Sequence, residues 1–147
     1  MRRLLFLSTA VAVLLLAADP WTADDILKPE QVAPLVIAAD PAGPLILQVG
    51  FAALYHGAHI SGSRYAGPAS KPEGLDELRK AVAGQPRSRE IILYCGCCPW
   101  DKCPNIRPAF AALRDVGFRN IKVIMIPTDL KTDWIDKGYP TDKSVTE

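Results

Sequence analysis

All four cysteines of the chain fall in one run, Tyr94-Cys95-Gly96-Cys97-Cys98-Pro99-Trp100-Asp101-Lys102-Cys103-Pro104-Asn105. Thiols this dense can act as nucleophiles or sulfur carriers, exchange as disulfides, or hold a soft metal ion. Any bridge among them would close a loop of only a few residues, which constrains the unfolded chain little, so the clustering favours chemistry over stapling. A thiol nucleophile must be ionised, and an ordinary cysteine with a pKa near ~8.5 is mostly protonated at neutral pH. Three features of the run could hold a sulfur anion. A helix opens just after it, with Asn105 as candidate N-cap and unpaired N–H groups behind it. Lys102 and Arg107 bring positive charge. Gly96 can let successive backbone N–H groups converge. A persulfide is also an anion and would use the same cradle.

Cys95 is the candidate nucleophile because it ends a strand-like run, Ile91-Ile92-Leu93-Tyr94. Cys97, Cys98 and Cys103 are candidate relay or resolving thiols. The spacing Cys-x-Cys-Cys-x4-Cys also offers four soft ligands. One tight loop reaches a zinc tetrahedron poorly, so Cu(I) would suit it better. The catalytic reading assigns no metal and no cofactor.

These residues need a scaffold, and the apolar pattern supplies one. Leu45 to Val49, Glu90 to Tyr94 and Ile121 to Ile126 read as strands buried on both faces. Between them lie helical stretches: 29–39, 74–83 with Leu75, Leu78 and Val82 on one face, and one opening at Ile106 with Phe110 and Leu113 on one face and stopped by Gly117. A last short helix spans 130–137. Apolar strands alternating with amphipathic helices predict an α/β fold, a parallel sheet covered on both sides. Sites in such sheets lie outside the carboxyl ends of the strands, where Cys95 stands.

The N-terminus reads differently. Arg2 and Arg3 precede an apolar run from Leu4 to Leu16, then Ala17, Ala18 and Asp19. This is the pattern of a secretory signal peptide over residues 1–18. The expectation is an exported protein, periplasmic or secreted, touching a membrane only if the segment is retained. Residues 19–28 read as a polar lead-in, 29–142 as one domain and 143–147 as a tail. The formal net charge of +1 leaves no field for a long polyanion, so nucleic acid is not an expected partner.

Several segments together resemble the rhodanese family in its single-domain form. Tyr55-His56-Gly57-Ala58-His59-Ile60-Ser61-Gly62-Ser63 is similar to that family's tyrosine followed by Gly-His-Ile-Pro-Gly-Ala. Ile91 to Cys95 resembles its strand ending in the active cysteine. Leu113 to Phe118 resembles its helix end before Gly-Phe, and Trp134, Gly138 and Pro140 its closing Trp and Gly-x-Pro signature. The resemblance implies a five-stranded parallel sheet flanked by helices. It also implies a sulfurtransferase in which Cys95 carries sulfane sulfur as a persulfide. A small donor, thiosulfate or a persulfide, would charge the thiol, and cyanide, a small thiol or a protein thiol would discharge it. A thiol–disulfide oxidoreductase or redox sensor, or a soft-metal module, is the alternative use of the same cysteines.

The chain departs from the family pattern in three places. Gln48-Val49-Gly50 stands where Asp-x-Arg is common, and Ala58 replaces a glycine. Arg107 follows Cys95 by twelve positions, so the active loop is about twice the usual length, which leaves open whether Cys98 or Cys103, rather than Cys95, meets substrate. Phosphatase chemistry, which related folds carry, needs cysteine and arginine six positions apart. No cysteine here has that partner.

Overall fold

The computed structural model describes residues 18–144. Apart from Ala18, the segment read as a signal peptide lies outside the described residues, as does the end of the tail. No helix among the described residues is long and apolar enough to cross a membrane.

Five parallel strands form the central sheet: β1 (Ile26–Leu27), β2 (Leu45–Gln48), β4 (Arg64–Tyr65), β5 (Ile91–Tyr94) and β6 (Ile121–Ile124). Their spatial order is β1-β6-β5-β2-β4, which puts β5 in the middle. A second, two-stranded antiparallel sheet pairs β3 (His59–Ile60) with β7 (Thr141–Asp142). Every residue of β2 and β5 is buried, as their unbroken apolar runs require. Alternation divides β5 between two cores. Ile91, Leu93 and Cys95 pack on one side with α3 (Pro72–Ala81) and α4 (Ile106–Asp115). Ile92 and Tyr94 pack on the other with Val32 and Ala33 of α1 (Pro29–Ala38) and with Trp134.

From β2 the chain runs through α2 (Ala52–Gly57) to the β4 edge, whereas from β5 it runs through α4 to β6. The connections diverge between β2 and β5, the crevice where open α/β sheets bind ligands. The register pairs Gln48 with Tyr94, and the Val49 N–H donates to the Tyr94 carbonyl at 2.9 Å. Cys95 therefore leaves the sheet at that crevice, next to the Gln48-Val49-Gly50 corner.

The residues behind the family-like motifs brace this frame. The Trp134 indole donates to the Pro140 carbonyl at 2.9 Å, and Tyr55 donates to the Ser63 carbonyl at 2.7 Å. His59 stacks on Tyr55 with ring centroids 3.9 Å apart and bonds the Tyr55 carbonyl through Nδ1 at 2.8 Å.

Three expected elements differ. Segment 19–28 is more than a lead-in, because it supplies edge strand β1 and the buried Trp21, whose ring lies 5.6 Å from Trp100 and 5.7 Å from Phe110. A two-residue strand and one tryptophan have no periodicity for a sequence reading to detect. Strand β6 stops at Ile124, two residues early: the Met125 N–H is taken by the Leu27 carbonyl, and the Ile126 carbonyl accepts the Trp100 N–H at 3.0 Å. That second bond ties the cysteine loop to the sheet. The last short helix is a single wide turn, Lys131–Ile135.

Candidate functional site

Cys95 is only 3% exposed and lies at the floor of a pocket of about 400 Å³. Gln48, Leu54, Cys97, Leu130, Lys131 and Ile135 contribute to its walls. Room for the sulfur depends on Gly50, since a Cβ there would stand 2.7 Å from the Cys95 Sγ. Gly96 next turns the chain with φ +85, a left-handed conformation that suits glycine. Its carbonyl accepts the Leu130 N–H at 3.0 Å, and a Cβ would meet that of Leu130 at 2.9 Å. The turn brings the Cys97 N–H onto the Cys95 sulfur.

The thiols form a chain of contacts. Cys97 Sγ lies 3.2 Å from Cys95 Sγ and 3.3 Å from Cys98 Sγ. The sulfurs of Cys95, Cys97 and Cys103 all lie within 4.8 Å of one another. The same three are the set that could hold a soft ion such as Cu(I). Cys103 is 1% exposed and, unlike Cys95 and Cys97, is not part of the pocket wall. Its sulfur adjoins that of Cys95 from outside the pocket lining.

Electrostatics separate these thiols. Interaction with the neighbouring Cys95 thiol, then the N–H groups of Asn105 and Ile106 at the start of α4, favours the charged form of Cys103. Together they lower the Cys103 pKa to about 6, against burial. The same thiol–thiol interaction, then burial, drives the Cys95 pKa well above the ordinary thiol range. Burial, then the bond with Cys97, pushes Cys98 up to about 12. Of the pair, Cys103, beside the α4 N–H groups, favours the negative charge over Cys95. The helix terminus expected to support Cys95 directly supports it through Cys103.

Asn105 is completely buried but does not cap α4 with its side chain, and its backbone is already helical. Its Oδ1 accepts the Ser70 N–H at 2.9 Å, and its Nδ2 points to Cys95 Sγ at 3.5 Å and Cys103 Sγ at 3.9 Å. Lys102 and Arg107, expected as charges beside the thiol, are placed elsewhere. Lys102 is exposed on the turn Trp100–Lys102. Arg107 donates to the Asp19 carboxylate and the Asp101 carbonyl and lies over the Trp21 ring. These acceptors stand within its reach on the surface, and neither cation lines the pocket. The pocket's cation is Lys131, which is paired with Asp136 at 2.7 Å. Anion stabilisation at this site comes from N–H dipoles rather than from free charge.

Sequence reasoning missed Gln48. It is 1% exposed, donates through Nε2 to the Cys95 carbonyl at 3.0 Å, and lines the pocket. Its Oε1 is buried with no hydrogen-bond partner among the described residues. An amide at the carboxyl end of an otherwise apolar strand was the available signal.

Cys103 titration is directly measurable. Ultraviolet thiolate absorbance of the fully reduced protein should rise with a midpoint near pH 6, from the lowered Cys103 pKa of about 6. Cys103→Ser should remove that step. Because folding lowers this pKa, the stability it contributes is complete above the ordinary thiol pKa of about 8.5 and is lost as pH falls through 6. A first thiolate appearing only near pH 8 or 9 would contradict the arrangement.

No protein-family model and no curated protein matches the chain. Solved structures do match. The rhodanese-like domain of the Alr3790 protein from Anabaena sp. shares 21% identity at a TM-score of 0.57, over 81% of this chain and 79% of that one. The BH2092 protein from Bacillus halodurans shares 17% at 0.60, over 80% and 76%. A thiosulfate sulfurtransferase from Pseudomonas aeruginosa shares 19% at 0.56, over 82% of this chain and 19% of that much longer one. The protein has the rhodanese-like fold, with a central five-stranded parallel sheet flanked by helices and a cysteine-rich loop after its middle strand.

Proposed function

We propose that this protein is a sulfurtransferase carrying sulfane sulfur as a persulfide on Cys95. The observation that carries the reading is the position of the Cys95 sulfur. It lies at the β2/β5 crevice, on the pocket floor, under the Cys97 N–H and the Asn105 amide. The rhodanese-like fold supports it by analogy, since the Pseudomonas protein with this fold is a thiosulfate sulfurtransferase.

Loading begins with proton transfer from the Cys95 thiol to the neighbouring Cys103 thiolate. The Cys95 sulfur then attacks the sulfane sulfur of the donor, and the donor's remaining sulfur leaves as sulfite or as a thiolate. The product, Cys95–S–S⁻, has its outer sulfur on the pocket side and keeps the Cys97 N–H and the Asn105 amide on its inner sulfur. An acceptor thiol or cyanide removes that sulfur and restores Cys95. The largely apolar walls, the paired Lys131 and the unsatisfied Gln48 Oε1 suit an organic persulfide better than a small dianion. Cysteine persulfide should therefore give a kcat/KM about tenfold above that of thiosulfate, a difference of about 1.4 kcal/mol. The Arg2-Arg3 start and the apolar run from Leu4 to Leu16 support an exported location for this activity. Thiocyanate formation from either donor with excess cyanide tests the reading, and its absence with both would overturn it.

A further inference from the structure

Cys103 is placed for a second step, and the inference rests on the persulfide reading above. We propose that Cys103 resolves the Cys95 persulfide by attacking its inner sulfur, so that the loop ends as a Cys95–Cys103 disulfide and releases hydrosulfide.

Direction of approach selects the inner sulfur. Displacement at sulfur needs the nucleophile and the leaving sulfur on opposite sides of the atom attacked. Cys95 and Cys97 line the pocket and Cys103 does not. A donor delivers its sulfur from the pocket, so the outer sulfur is added on the pocket side of Cys95. The Cys103 sulfur lies within 4.8 Å of the Cys95 sulfur and outside the pocket lining. The inner sulfur is therefore the atom that Cys103 is placed to reach. At 1% exposure Cys103 is also shielded from external donors and acceptors, which meet Cys95 and Cys97 first.

Protons and electrons balance without an added reagent. After loading, Cys103 holds the proton it took from Cys95 and Cys95 carries –S–S⁻. Relay of that proton through the Cys97 thiol, which lines the pocket and lies within 4.8 Å of both sulfurs, gives Cys95–S–SH and a Cys103 thiolate beside the Asn105 and Ile106 N–H groups. The thiolate forms a bond to the Cys95 Sγ, the S–S bond to the outer sulfur breaks, and HS⁻ leaves into the pocket. The sulfane sulfur is reduced, and the two cysteine sulfurs are oxidised to the disulfide. A new cycle needs an external dithiol, most simply a protein with two exchanging cysteines, which becomes a disulfide as the loop is reduced. Cys97 also lies close to Cys95, at 3.2 Å, but only one residue separates the two. A bridge between them is geometrically strained.

Reduced protein incubated with saturating thiosulfate, without cyanide or added thiol, tests the step. Thiosulfate is the probe because its leaving group is sulfite, so hydrosulfide can come only from resolution. Wild type should release about one equivalent of hydrosulfide and lose two hydrogens in intact mass, with peptide mapping joining Cys95 to Cys103. Cys103→Ser and Cys103→Ala also lose the base that assists loading, so they should load more slowly; incubated at higher pH until one sulfur is gained, they should keep it on Cys95 and release less than roughly a tenth as much hydrosulfide. Wild type that keeps the added sulfur and releases none, or a bridge mapped to Cys97 or Cys98, overturns the inference and leaves the carrier reading standing. If neither wild type nor the folded variants gain sulfur or release hydrosulfide, the carrier reading falls and this inference with it.

Discussion

Cys95→Ser should abolish sulfur transfer, lowering thiocyanate formation by at least about a thousandfold, or roughly 4 kcal/mol of transition-state stabilisation. The size follows from the element exchanged. A serine hydroxyl does not form a stable analogue of the persulfide, so the two-step route is closed rather than slowed. Its proton is also much harder to remove than a thiol's, even with the Cys103 thiolate beside it. The substitution is nearly isosteric in a site that Gly50 keeps open, so the fold should survive and circular dichroism should match wild type. Cys97→Ser and Cys98→Ser supply the contrast. Cys97 supports Cys95 through its backbone N–H, which serine retains, and Cys98 touches Cys97 rather than Cys95. Each should keep thiocyanate formation within about tenfold of wild type. Persistence of activity in Cys95→Ser, with loss in Cys98→Ser or Cys103→Ser, would move the carrier to another sulfur.

Gly74→Ala should be the most damaging small change to stability. Gly74 lies in the first turn of α3, buried against the backbone of Pro68, and an added Cβ would overlap the Pro68 carbonyl. A flexible side chain could give way, but here the obstacle is main chain. That segment is held by the Ala66 N–H on the Gln48 carbonyl at 2.8 Å and the Ala69 N–H on the Val49 carbonyl at 3.0 Å. Relief of the clash must break such bonds or shift the helix. Destabilisation of about 3 kcal/mol or more is expected, lowering Tm by roughly 10 °C in thermal unfolding. The strain should reach the site as well. Ser70 donates to Asn105, whose amide faces the Cys95 and Cys103 sulfurs, so the surviving folded protein should titrate its first thiolate above pH 6. An unchanged Tm would mean that the loop and helix are less tightly engaged than their geometry shows.

Much of the architecture was legible because the central strands are apolar on both faces and the helices between them are not. Leu45 to Gln48 and Ile91 to Tyr94 announce a buried parallel sheet. Cys95, directly after such a strand, is located at a ligand crevice by topology alone. Short pieces were not legible. β1, β3, β4 and β7 have two residues each, too few for any period to show. They form because strands remote in sequence pair with them: β6 with β1, β2 with β4, and β3 with β7.

What the one-dimensional pattern established is chemical inventory and address: four thiols in one loop, at the carboxyl end of a buried strand, ahead of a helix. Which thiol carries the charge was decided only in three dimensions. The amides of α4 close on Cys103, the residue nearest the helix, and hydrogen bonds act over a few ångströms whatever the spacing along the chain. Likewise Arg107 finds Asp19, 88 residues away, before it can reach a sulfur. Gln48 and Asn105 become parts of the site because a parallel sheet and a long loop fold remote segments against Cys95.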